Sequence, residues 1–140
     1  TKRYTEGDIQ NFFTDHNYDI YAFSISDKFG ESGITGLSIV ITNRNNRTAE
    51  IDTFLMSCRV IGRNLEYAFM DYIIEKLKKN SIKKIKAKYI KSLKNNQVKE
   101  FYDNCSFYST KSSDLIKDYK LDINQYQAKK LKYIEVINGK

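Results

Sequence analysis

An α/β domain built on a mixed sheet is the fold this sequence predicts. Three observations lead there. Short segments rich in β-forming residues follow one another through tight polar turns. One segment, 64–79, carries a wide apolar stripe at helical spacing. That helix joins two strand-like segments, 48–56 and 82–90, in the way a parallel crossover does.

At 140 residues the chain has the length of one domain and can bury a core without disulfides or metals. No apolar run reaches the length of a membrane span, and no signal-peptide pattern is visible. The chain opens on Thr1 rather than Met, which is expected of a piece excised from a longer protein. With no proline, breaks have to be read from Gly, Asn, Asp and Ser.

Ile9, Phe12 and Phe13 at helical spacing predict a helix over 5–15, opened by Thr5 and Asp8 as a capping pair. A strand is expected over 18–26, a turn over 28–33 and an apolar strand over 35–42. The polar run 43–47 is a hairpin connection. In the strand 48–56, two-residue alternation sends Ile51, Thr53 and Leu55 one way and Glu50, Asp52 and Phe54 the other. The helix 64–79 presents Leu65, Ala68, Phe69, Tyr72, Ile73 and Leu77, and Asn80 and Ser81 close it. The strand 82–90 puts Ile85, Ala87 and Tyr89 on one face. A short helix over 95–104 bears Val98, Phe101 and Tyr102. A short strand over 107–110 follows, then a poorly patterned stretch, then a last strand over 131–137. Substrate-contacting residues are expected in 1–35 and 110–130, where patterning is weakest.

Two cysteines, Cys58 and Cys105, show no metal-ligand spacing and make no disulfide framework, so a reducing, cytoplasmic setting is expected. The lone histidine, His16, argues against a histidine zinc site or a Ser-His-Asp triad. The net charge is +7, and nine lysines lie between Lys76 and Lys94 with no acidic residue among them. Such a stripe is either a solvated face or the docking surface for an anionic partner. No nucleic-acid-binding motif accompanies it.

The junction 55–65 is where chemistry is expected. A strand ends, the chain turns through Gly62, and a long helix begins. The first N–H groups of that helix lack intrahelical partners and point into the turn, where the helix dipole favours an anion. Arg59 and Arg63 add positive charge.

Arg59-x-x-Gly62-x-Asn64 resembles the GNAT (GCN5-related N-acetyltransferase) motif Gln/Arg-x-x-Gly-x-Gly/Ala, with Asn64 at the final Gly/Ala position. Asn tolerates left-handed backbone better than most residues. Asn95 through Phe107 resembles the family's second motif, Asn-x-x-Ala-x-x-x-Tyr-x-x-x-Gly-Phe, with Val98 for Ala and Ser106 for Gly. The resemblance implies a GNAT fold, a mixed twisted sheet of about six to seven strands flanked by helices. It implies coenzyme A or an acyl-CoA such as acetyl-CoA as cofactor, and no metal. Arg59, Val60, Ile61, Gly62, Arg63 and Asn64 would hold the pyrophosphate, with Asn95 as a further contact. The backbone at Leu55 and Met56 would polarise the thioester, and Tyr102 would protonate the leaving thiolate. Asp52 and Glu50 are alternative bases. Cys58, beside Arg59 and near a helix N-terminus, is either an acyl-carrying nucleophile or a small buried thiol.

The runs 27–33 and 51–66, above all Ser57-Cys58-Arg59-Val60-Ile61-Gly62-Arg63, resemble the C-terminal domain of FkbH-like proteins. That resemblance implies a single acyltransferase domain, 1–140, following a haloacid-dehalogenase-type (HAD-like) domain. It further implies loading of a glyceryl or acyl unit onto an acyl carrier protein for methoxymalonyl-type extender units in polyketide biosynthesis. The lysine stripe would then meet the carrier protein, or the 3′-phosphate of coenzyme A. A non-catalytic module docking a carrier protein and a stand-alone amine N-acetyltransferase are the alternatives.

Overall fold

The computed structural model describes residues 17–27, 30–57, 64–90 and 100–128. Six strands form one mixed sheet: β1 (Tyr18–Asp27), β2 (Gly30–Asn43), β3 (Thr48–Met56), β4 (Lys84–Ile90), β5 (Tyr108–Ser112) and β6 (Ile116–Asp122). They lie in the order β1-β2-β3-β4-β6-β5. A long helix, α1 (Leu65–Lys79), connects β3 to β4, and a single helical turn, α2 (Phe101–Asn104), precedes β5. A 3₁₀ turn, Ile123–Gln125, follows β6. β3 and β4 are parallel, as the crossover requires; the other pairings are antiparallel. The α/β mixed-sheet prediction is therefore met.

The core lies between the sheet and α1. Phe69, Met70, Ile73, Ile74 and Leu77 form the buried stripe of α1, and Ile85, Ala87 and Tyr89 meet it from β4. The alternation read from the sequence for β4 holds along its whole length. Asn80 and Ser81 do close α1. Ser81 adopts a left-handed φ of 66°, its N–H bonds Lys78 O at 3.1 Å, and Ile82 N–H bonds Leu77 O at 3.0 Å. This is a Schellman closure, sealed by the buried pair Leu77 and Ile82. Lys76, Lys78 and Lys79 in the last turn complement the helix dipole.

Three expectations are corrected. The turn expected over 28–33 is shorter, because β2 already begins at Gly30. The side-chain alternation in β3 breaks at Asp52. Ile39 pairs with Thr53 but Val40 pairs with Ile51, so Asp52 is an extra residue in a β-bulge. The core face therefore runs Ala49, Ile51, Phe54, Met56, and Leu55 is exposed. Third, the poorly patterned stretch contains β6, a central strand whose Tyr119 and Leu121 are buried at 1% exposure. Asp118, Lys120 and Asp122 point the other way, and Lys117 on the same face masks the alternation. The expected helix over 5–15 and the expected last strand over 131–137 lie outside the described residues.

Candidate functional site

The β3–β4 ladder is short. Pairing runs from Thr48↔Lys84 to Ile51↔Ala87 and stops. Beyond the bulge, Ser38, Leu37 and Gly36 of β2 pair with Phe54, Leu55 and Met56, while Lys88, Tyr89 and Ile90 pair with β6. The two parallel strands thus part company at Asp52. The β4-facing edge of the last five residues of β3 has no strand partner among the described residues. Backbone groups along an edge that no strand covers take other partners when buried. An extended ligand with its own amides can supply them, as an added strand would.

The start of α1 faces the same end of the sheet. Asn64, its N-cap, has φ 67° and ψ 7°, a left-handed conformation, and its carbonyl accepts from Tyr67 N and Ala68 N. The tolerance of Asn for that conformation is thus used. A second position tells the same story. Ser106 has φ 70°, and it terminates α2 as Ser81 terminates α1: Ser106 N–H bonds Asp103 O and Phe107 N–H bonds Tyr102 O. Asn64 and Ser106 are two positions where the motifs quoted above carry glycine. Both need the backbone freedom glycine gives.

Aromatic rings wall the core side of the opening. Phe54 on β3 lies 4.8 Å from Phe101 on α2, and Tyr67 on α1 lies 5.5 Å from Phe101, centroid to centroid. Asn104 Nδ2 donates to Tyr67 Oη at 3.0 Å, tying α2 to α1. Burial is the main cause raising the Tyr67 phenol above its ordinary pKa, and the Asn104 bond partly offsets it.

Each expected site residue can now be placed. Leu55 is 42% exposed and Met56 is half-buried, both on the half of β3 beyond its pairing with β4. Asp52 is the half-buried bulge residue, and its Oδ2 accepts from Thr53 Oγ1 at 3.0 Å. Glu50 is exposed, and in β3 it lies before the bulge, on the paired half. Tyr102 is buried, its ring 5.4 Å from Phe101, 5.3 Å from Phe107 and 5.4 Å from Tyr119. Burial foremost, then Cys105 and Tyr119, pushes its phenol well above the usual tyrosine value. Cys105 is a buried thiol outside any disulfide among the described residues. Cys58, Arg59, Val60, Ile61, Gly62, Arg63, Asn95 and His16 lie outside the described residues. No group of His, Cys, Asp and Glu able to hold a metal occurs among the described residues. None of the described helices is long and apolar enough to cross a membrane.

Sequence reasoning missed Glu66. It is 9% exposed, and its Oε2 is buried without a hydrogen-bond partner. The signal was present: Glu66 continues the spacing of Phe69, Met70, Ile73 and Leu77, so a carboxylate occupies the first place on the buried stripe of α1. It missed the bulge too, which alternation alone cannot reveal.

No protein-family model matches the sequence, and no curated protein matches it. Solved structures do. The chain is similar to the ribosomal-protein-S18-alanine N-acetyltransferase of Escherichia coli, with a TM-score of 0.66 and 12% identity over 91% of this chain and 82% of that one. It is similar to an acetyltransferase of the GNAT family from Staphylococcus aureus, with a TM-score of 0.65 and 16% identity over 84% and 75%. A spermidine N-acetyltransferase variant from Vibrio cholerae gives a TM-score of 0.65 and 15% identity over 84% and 72%. The fold is that of the GNAT acyl-CoA N-acyltransferases.

Proposed function

We propose that this chain is an acyl-CoA-dependent acyltransferase domain, with the acyl donor seated where β3 and β4 part. The observation that carries the reading is the end of the β3–β4 ladder at Ile51↔Ala87, five residues before β3 itself ends at Met56. The edge of 53–56 that β4 leaves uncovered suits the amide-bearing arm of coenzyme A. The helix N-terminus and Arg59 and Arg63 suit its pyrophosphate.

The roles of individual residues follow from that seat. N–H groups at Leu55 and Met56 polarise the thioester carbonyl. Tyr102 keeps its proton through the neutral range, because burial raises its pKa. It is thus in the state from which a proton can pass to the departing thiolate sulfur. Asp52 takes the proton that the acceptor loses on attack. Cys58 is the place for a covalent acyl stop, should transfer proceed in two steps.

The finer reading is an FkbH-type domain that moves a glyceryl or acyl unit onto an acyl carrier protein. It rests on the Ser57–Arg63 run. The carrier would approach the open end of the sheet, where Lys88 lies, paired with Asp118 at 3.8 Å. A second reading, a stand-alone amine N-acetyltransferase, is favoured by neighbours named as N-acetyltransferases of a ribosomal-protein alanine and of spermidine.

Calorimetric titration with acetyl-CoA tests the donor seat. Saturable binding is expected, and replacing Arg59 and Arg63 together by Ala should abolish it. Absence of heat at millimolar acetyl-CoA would sink the reading. Transfer assays offering an acyl carrier protein and spermidine side by side separate the two acceptors.

A further inference from the structure

The sheet face turned away from α1 carries a second, unrelated feature. By strand register, Glu50, Lys86, Lys120 and Tyr108 form one row across β3, β4, β6 and β5, and Thr48, Lys84 and Asp122 form the next. A cavity of about 250 Å³ opens there. Lys84, Lys86 and Lys120 line it together with Asp122, Thr48, Tyr108 and Gln125.

Lys86 and Lys120 stand directly opposite each other in the antiparallel β4–β6 pair. Like charges so placed repel, and the sheet is weaker for it. Asp122 stands opposite Lys84 and Glu50 beside Lys86 in register, but neither makes an ion pair with these lysines among the described residues. Asp118 pairs with Lys88 at 3.8 Å, and Asp122 accepts from Asn124 N at 3.0 Å to cap the 3₁₀ turn. Glu50 is exposed beside Lys86, and among the described residues the ion pairs are Lys79–Glu75 and Lys88–Asp118. Three lysines and one acid, Asp122, therefore line one cavity, a net positive lining with hydroxyl and amide groups beside it and a half-exposed tyrosine ring as a wall.

We propose that this cavity is a binding site for a small phosphate-bearing anion, held between Lys84, Lys86 and Lys120. Lysine ammoniums act as mobile point charges suited to phosphate oxygens. The cavity is smaller than a drug-sized pocket, which fits a compact phosphate or diphosphate. It lies at the Thr48 end of β3, whereas the donor cleft opens beyond Ile51 and runs to Met56, roughly 26 Å from Thr48 at strand rise. The two sites are thus separate, and the fate of one reading does not decide the other.

The test is an NMR titration of the protein with inorganic pyrophosphate at constant ionic strength. Saturable shifts are expected at the amides of Lys86, Lys120 and Tyr108. In the Lys86→Gln/Lys120→Gln variant the affinity should fall at least tenfold. Unsaturable shifts spread evenly over all lysines, Lys78 and Lys79 included, would overturn the site. So would shifts confined to Asn64 and Leu65, which would assign the anion to the cleft. A thermal readout adds a second arm. Lys120→Gln alone should unfold at a higher temperature than the parent without anion, and lose that advantage once pyrophosphate saturates the parent. An unchanged advantage at saturating pyrophosphate counts against the proposal.

Discussion

Phe23 occupies the space where Gly36 would carry a side chain. The two are cross-strand partners on β1 and β2, and a Cβ on Gly36 would fall inside the Phe23 ring. That ring is held in place by Phe69 of α1, 4.7 Å away. The pair therefore sets how closely α1 settles on the edge of the sheet. Gly36→Ala is expected to cost about 1–3 kcal/mol, the range for overpacking a filled core. Phe23→Leu in the same background should recover part of it. Denaturant unfolding of the three variants checks both signs.

Ser106 and Asn64 hold left-handed backbone without being glycine. Replacing either with Gly removes a steric cost of about 1–2 kcal/mol for an ordinary L-residue. Asn bears that conformation more easily than Ser. Ser106→Gly should therefore stabilise more than Asn64→Gly, and a ranking of unfolding midpoints in the reverse order would contradict the argument.

Buried phenols make the fold sensitive to alkali. Tyr119 is pushed up to about 12 by burial first, and then by its hydrogen bond to Asp103 Oδ2 at 3.0 Å. Burial also raises Tyr21 and Tyr126, the latter donating to Asp71. Unfolded tyrosine titrates near 10. Below pH 10 both states hold the proton and the contribution is complete. From pH 10 to 12 the unfolded chain releases it first, so stability falls as pH rises. Unfolding midpoints across that window, with tyrosinate absorbance followed in parallel, should show the decline. Tyr119→Phe should flatten it.

Tyr102→Phe separates chemistry from packing. The ring contacts with Phe101, Phe107 and Tyr119 survive the change, so stability should move little. If the phenol is the acid, turnover with an acyl-CoA donor should drop by about 100-fold or more, with donor binding retained. Equal turnover in the variant would return Tyr102 to a purely structural role.

Legibility in the sequence followed local physics. β3 was bounded correctly at 48 and 56 because a polar hairpin precedes it and a change of pattern follows. The closure of α1 was readable in Asn80 and Ser81. The facing of Phe54 and Leu55 was not, since one inserted residue at Asp52 reverses every side chain beyond it. β6 escaped because Lys117, Asp118 and Lys120 disfavour strand by propensity. Only its neighbours β4 and β5, distant or barely formed in sequence, make Tyr119 and Leu121 a core. For the site, the left-handed backbone at Asn64 was legible through the motif, whereas the buried Glu66 looked like any first-turn acid.

The four-pair seam between β3 and β4 has a mechanical consequence. On one side of it stand β1, β2 and β3, and on the other β4, β6 and β5, each an antiparallel set of three. The molecule is a pair of leaves bound along half a spine. A load applied at the free margin acts through the longest lever the fold offers, with Ile51 and Ala87 as the fulcrum. The amides of that last bound pair should therefore be the first in the β3–β4 ladder to exchange with solvent, and the first to be protected when something fills the gap between the leaves.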